Sequence, residues 1–146
     1  MVKPMVYLAQ PMSGREWPKI IEEASEAVLA LEREGFDVWS PTLHEASNGN
    51  ARGTVNGMSR AALKRHWERD FDAIQRADAL VSLRGDIPSE GVGYEIAIAE
   101  HFMAMPVVVV LPNGATNRVS HLGAKIVPSV SRAAKVLKRF FELELP

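Results

Sequence analysis

With 146 residues, 47% of them hydrophobic and 24% charged, the chain can bury the core of one domain, spanning 1–146, and is too short for two ordinary ones. A formal net charge of −1 excludes the basic field that binding to a nucleic-acid polymer demands. The absence of cysteine excludes disulfides, thiolate catalysis and cysteine-ligated zinc, and is compatible with a cytoplasmic location.

In chain order, the first element is a strand at 5–9, entered directly from Met1-Val2-Lys3-Pro4 with no signal-peptide pattern and no membrane span. A helix at 17–34 follows, then a strand at 36–40. Residues 41–58, rich in Asn and Gly, read as a long irregular loop, which inside a compact domain is a functional flap or a disordered segment. Next come a helix at 59–77, a strand at 79–83, a helix at 92–105 and a strand at 107–111. The last of these contains Val107-Val108-Val109-Val110, which does not alternate and so fits a strand buried on both faces. A fifth strand at 125–130, where Pro128 tolerates only an edge or an end, and a helix at 131–143 complete the chain.

Strands alternating with helices predict right-handed βαβ crossovers and a flavodoxin-like, doubly wound α/β domain: about five parallel strands between two helical layers. In such folds ligands bind beyond the carboxyl ends of the strands. Here those ends lead into 10–15, 41 onward, 84–93 and 112–120.

Two carboxylates are aimed at that crevice. Glu95 starts the helix after the third strand, behind Gly91-Val92-Gly93, whose glycines permit close backbone or ligand approach. An acid in a first turn is also favoured by the helix dipole alone. The run is not a dinucleotide fingerprint, because Ile96 stands at the third glycine position. Asp70 lies beside the apolar stripe Leu63, Trp67, Phe71 and Ile74 of the preceding helix, whereas Asp72 points to solvent. Such an acid is either satisfied by a backbone amide or an arginine, or has chemistry to do. Asp78 reads as a structural turn residue. Paired carboxylates suit cleavage at an anomeric carbon, one attacking or stabilising the oxocarbenium-like centre and the other handling the leaving group's proton.

The segment DFDAIQRADALVSLRGDIPSEGVGYEIAIA, residues 70–99, resembles the signature of the nucleoside 2-deoxyribosyltransferase superfamily, and VYLAQPMSGR, residues 6–15, resembles its first strand and phosphate loop. The likeness is nearest to the branch of 2'-deoxynucleoside 5'-phosphate N-hydrolases and CMP hydrolases. The resemblance implies an enzyme that releases free base and sugar 5-phosphate from a nucleoside 5'-monophosphate, with neither metal nor organic cofactor. It implies Glu95 as nucleophile, Asp70 as the acid serving the base and Tyr7 as the hydroxyl supporting Glu95. It further implies that Ser89 binds phosphate and that Ser13, Gly14 and Arg15 belong to the phosphate loop; Gly91 and Gly93, by their room for close approach, and His44, by its place in the crevice after the second strand, are expected around the base or the sugar. Ser120 would reach the site of a neighbouring subunit, which makes the expected assembly a homodimer with shared sites.

The chain departs from the pattern at Gln10 and Pro11, where the family has Gly and the hydrolases Ser. Pro11 offers no N–H to a phosphate. Ser13 stands where those hydrolases often carry Arg, so Arg15 or Arg52 is expected to supply the charge. Transferases tend to carry Asp at the position of Ser89; a carboxylate repels a 5'-phosphate that a hydroxyl would bind.

Other chemistries are poorly served. His44, His66, His101 and His121 show no metal-ligand spacing. No Gly-x-Ser-x-Gly elbow surrounds Ser13 or Ser59. The rival readings are base exchange by the same site, and a nucleotide-binding module without turnover.

Overall fold

The computed structural model describes residues 2–47, 59–119 and 124–144. Five parallel strands form one sheet: β1 (Met5–Ala9), β2 (Asp37–Trp39), β3 (Ala79–Ser82), β4 (Val107–Val110) and β5 (Lys125–Val127). Their spatial order is β2-β1-β3-β4-β5, the flavodoxin-like arrangement. The three central strands are almost wholly buried, which is why they read as continuous apolar runs. β5 stops one residue before Pro128, whose missing N–H no ladder has to accommodate.

Side-chain alternation along the strands makes two cores. Val6 and Leu8 of β1, Val81 of β3 and Val108 of β4 face helices α1 (Trp17–Arg33) and α5 (Val130–Glu144), against Ala24, Leu31 and Leu137. Tyr7 and Ala9, Leu80, Val107 and Val109 face the opposite layer, against Ile74, Val92 and Ile96. That layer consists of α3 (Arg60–Arg76) and α4 (Glu90–Ala97), the latter running into a wider π-helical turn at Ile98–Phe102. The period of two thus sends Tyr7 towards α4, the helix that carries Glu95.

α3 begins at Ser59, whose Oγ accepts from the Ala62 amide at 3.1 Å. Its inward face is Asp70, Ala73 and Ile74, rotated from the expected stripe, so that Trp67 and Phe71 are not core residues but 46% and 42% exposed. Asp72 does lie on the solvent face, 3.0 Å from Arg76 one turn on.

The region expected to be one irregular loop at 41–58 starts instead with a helix, α2 (Pro41–Ser47). Proline suits a first helical position, where its absent N–H has no partner to lose, and its carbonyl side leaves the following residues free to wind. Residues 48–58 lie outside the described residues, as do Arg52 and Ser120. Among the described residues, no helix is long and apolar enough to cross a membrane.

Candidate active site

A cleft of about 940 Å³ opens at the carboxyl ends of β1 and β3. Its lining includes Ser13, Gly14 and Arg15 from the loop after β1, Ser89 and Gly91 at the head of α4, and His66, Asp70 and Glu95. Of the residues singled out from sequence, Ser13, Gly14, Arg15, Asp70, Ser89, Gly91 and Glu95 come together there. Tyr7 lies fully buried beneath the cleft and reaches it through one hydrogen bond, from its hydroxyl to Glu95 Oε2. His44 and Gly93 do not line it: the His44 ring lies 4.8 Å from that of Trp39, and a side chain at position 93 would meet nothing within 4 Å. Of the two glycines, Gly91 is the one that lines the cleft.

Burial dominates the electrostatics. It pushes the Glu95 carboxyl up to about 8, helped by the negative charge of Asp70 and opposed by the Tyr7 hydroxyl bond. Burial and the Glu95 charge drive the Tyr7 phenol far above its ordinary range, so it remains a proton donor at every physiological pH. Asp70 is raised by burial as well, with Arg69 and His66 pulling it back.

Asp70 is also satisfied by an arginine, the plainer of its two sequence readings. Arg69 Nε and Nη2 approach its Oδ1 at 3.1 and 2.9 Å. That pair belongs to a cluster that sequence reasoning missed. Arg69 Nη1 bonds Glu45 Oε1 from α2. His66 sits between the two acids, Nδ1 3.3 Å from Glu45 Oε1 and Nε2 3.5 Å from Asp70 Oδ2. One available signal was the spacing of His66 and Asp70, four apart and hence on one helical face.

The loop after β1 is tied down from behind. The Gln10 amide donates to the Ile20 carbonyl and to Glu23 Oε1, both at 2.9 Å, while its oxygen accepts from Thr42. Gln10 therefore fastens the loop to α1 and α2. Arg15 bonds Glu23 at 2.8 Å and the Pro11 carbonyl at 2.7 Å. The proline that offers no N–H to a ligand thus holds the arginine by its oxygen. Ser89 caps α4, its Oγ accepting from the Val92 amide at 3.2 Å, which leaves the hydroxyl proton to donate into the cleft. Asp78 accepts from the Met5 amide at 2.8 Å, a structural role as expected.

No protein-family model matches the chain, and no curated protein matches it in sequence. Solved structures do match. A 2-deoxyribosyltransferase from Bacillus psychrosaccharolyticus superposes with a TM-score of 0.65 at 18% identity, over 89% of this chain and 90% of that one. A 2-deoxyribosyltransferase from Leishmania mexicana gives 0.62 at 16%, over 93% and 97%. A CMP N-glycosidase from Clostridium botulinum gives 0.54 at 17%, over 91% and 97%. The chain has the fold shared by the 2-deoxyribosyltransferases and this N-glycosidase, a three-layer α/β architecture around an all-parallel sheet.

Proposed function

We propose that the protein hydrolyses the N-glycosidic bond of a ribo- or deoxyribonucleoside 5'-monophosphate, releasing free base and sugar 5-phosphate. The observation that carries this reading is the Tyr7–Glu95 hydrogen bond at a cleft whose wall also holds Asp70. In the proposed mechanism Glu95 attacks C1', its ester forms as the C1'–N bond breaks, and Asp70 protonates the departing base. Water, deprotonated by Asp70, then opens the ester. Tyr7 holds Oε2, which leaves Oε1 to attack. A carboxylate enclosed in this way interacts most strongly where positive charge develops at C1'. Attack requires the ionised form, so kcat/KM should rise with pH through about 8.

Base exchange on an unphosphorylated nucleoside is the second reading. It is favoured by Arg15, the one arginine or lysine lining the cleft among the described residues, being engaged by Glu23 and Pro11, and by Glu90 at the rim. One experiment separates the two: each monophosphate and its parent nucleoside are incubated with and without a second base, and released base and new nucleoside are measured. A charge-assisted hydrogen bond contributes about 1.5–3 kcal/mol. Ser89→Ala should therefore lower kcat/KM for the monophosphate about ten- to a hundredfold and spare any nucleoside activity. A wild type that prefers nucleosides, or makes new ones, replaces the hydrolase reading.

The expected homodimer belongs to the same proposal. An apolar groove of about 420 Å³ beside the cleft, lined by Trp67, Phe71, Tyr94 and Ile98, supports it. Sedimentation of the wild type and of Phe71→Glu tests it.

A further inference from the structure

We infer that Glu23 sets the preference of the cleft for a phosphorylated substrate: it is a positioning residue that grips one edge of the Arg15 guanidinium and so keeps the other edge ready for the 5'-phosphate. This rests on the nucleoside-monophosphate reading of the site.

A guanidinium carries five N–H groups in one rigid plane. In Arg15, Nη1 donates to the Pro11 carbonyl at 2.7 Å and to Glu23 Oε1 at 3.3 Å, and Nη2 donates to Glu23 Oε2 at 2.8 Å. The carboxylate therefore takes the end of the fork, across the two Nη atoms. Nε–H and the second Nη2–H remain. These two run side by side along the adjacent edge of the plane, and they have no other partner among the described residues. Two parallel N–H groups of this kind match two oxygens of one phosphate. The engagement of Arg15 thus occupies one edge and leaves the other. Arg15 lines the cleft and Glu23 does not, so a ligand meets the arginine without touching the acid that holds it.

Three side chains converge on Glu23. Gln10 donates to Oε1 at 2.9 Å, Arg15 grips both oxygens, and Arg84 Nη1 stands 3.7 Å from Oε2. Arg84 also occupies Asp86, through Nε and Nη2 at 2.8 and 2.7 Å, and so engages a second acid that feels the charge of Arg15. Residues 84 and 86 open the segment that leads to Ser89. One carboxylate on α1 thus links the loop that carries Arg15 to the loop that carries Ser89. The side chains of Arg15 and Glu23 are only 14 and 23% exposed, which makes their pairing firmer than an ion pair on open surface.

Glu23 acts on a phosphate in two opposed ways. Its charge repels a dianion and offsets that of Arg15. Its grip orders a long, flexible side chain in advance, so the ligand does not have to. The repulsion is blunted because two arginines face the carboxylate, and the ligand sees it only from behind Arg15. The ordering acts in full on the edge that meets the ligand, so it outweighs the repulsion.

This fixes the sign of the test. Glu23→Gln keeps the size of the side chain but has one acceptor oxygen and no charge, so it cannot hold both Nη atoms. Calorimetry with ribose 5-phosphate and with ribose compares the wild type, Glu23→Gln, Arg15→Ala and the double variant. Glu23→Gln should weaken ribose 5-phosphate about tenfold, the worth of one charge-assisted contact, and leave ribose unchanged. An acid that merely neutralises Arg15 would give tighter binding on removal, and one that merely supports the fold would cost both sugars alike; either result, or no change, overturns the inference. On the Arg15→Ala background, Glu23→Gln should add nothing, because it acts through the arginine. A repeated tenfold loss there also overturns it. Nitrogen NMR gives a direct view: the Arg15 Nε signal should move with ribose 5-phosphate and not with ribose, and an unmoved signal means that the open edge is not the phosphate contact. Turnover is scored separately. A protein that shows these binding effects and cleaves no nucleotide keeps the inference and loses the N-glycosidase reading. One that cleaves nucleotides but binds neither sugar, or both alike, keeps that reading and loses the inference.

Discussion

The two sides of the sheet are built to different ends. Against α1 and α5, the core is aliphatic and small: Val6, Leu8, Val81 and Val108 meet Ala24, Leu31, Ala133 and Leu137. Against α3 and α4, the same strands contribute Tyr7, and the helices enclose Asp70 and Glu95 with His66, Arg69 and Glu45 close by. Apolar burial on the first side stabilises the fold at every pH. On the second, burial raises the cost of each charge and so shifts proton affinities, the usual physical basis of a reactive site. The contrast teaches that one sheet serves as scaffold on one face and as support for acids on the other, one residue apart along β1.

The sharpest way to break the comparison is to change each side and measure both activity and stability. Glu95→Gln should remove turnover by more than the about 10²–10⁴-fold that acid–base catalysis alone supplies, with the circular-dichroism spectrum unchanged. Residual activity near wild type would take the nucleophile away from Glu95. Asp70→Asn should cost about 10²–10⁴-fold in kcat for substrates with poor leaving groups. Asp72→Asn, on the solvent face with its Arg76 partner, should change kcat less than about twofold, because surface ion pairs contribute little. Equal effects at 70 and 72 would place the inward face of α3 elsewhere.

On the other side, Leu137→Ala should lower unfolding free energy by about 2–5 kcal/mol, since the side chain is fully buried and leaves a cavity. Denaturant titration measures this. The kcat of the folded fraction should stay at the wild-type value. A variant that loses kcat in proportion to stability would mean that the two layers are coupled through the sheet.

How much of this was legible in the sequence follows the same division. The strands at 5–9, 79–83 and 107–111 were readable because strands buried on both faces leave unbroken apolar runs. The placement of Asp70 and Glu95 at one cleft followed from the order of elements and from the apolar neighbours of Asp70, whereas Tyr7 was marked only by the family resemblance. α2 was not readable: a proline at its start and the Asn- and Gly-rich stretch after it look like a break at both ends. Nor was the π-helical turn, since its wider winding leaves no periodic mark over five residues. The apolar stripe on α3 misplaced Trp67 and Phe71 because hydrophobic residues also occur on exposed surface. The Glu45–Arg69–His66 cluster escaped notice because Glu45 lies 24 residues before Arg69, in an element taken for loop. A histidine paired with an aspartate one turn away, as His66 is with Asp70, leaves no metal-ligand spacing in the sequence.

The smallest expected effect joins the two sides, because the site should cost the fold something. In the folded protein Glu95 holds its proton to about 8, well above the ordinary value of 4.5. Below the ordinary value both folded and unfolded chains carry the proton, and the carboxyl stabilises neither state over the other. As pH rises between the two values the unfolded chain releases the proton and the folded one keeps it, so stability falls and stops falling once the folded carboxyl ionises. Each unit of difference corresponds to about 1.4 kcal/mol, and the partial access of Glu95 from the cleft reduces the total. Glu95→Gln removes this penalty. Its melting temperature should match that of the wild type near pH 4.5 and exceed it at pH 8 by several degrees, at about 2–4 °C per kcal/mol for a chain of this size. Thermal melts of both proteins across this range make the measurement. A gap that is constant with pH would mean that Glu95 is ionised in the empty cleft and that the Tyr7 hydroxyl, rather than burial, sets its charge.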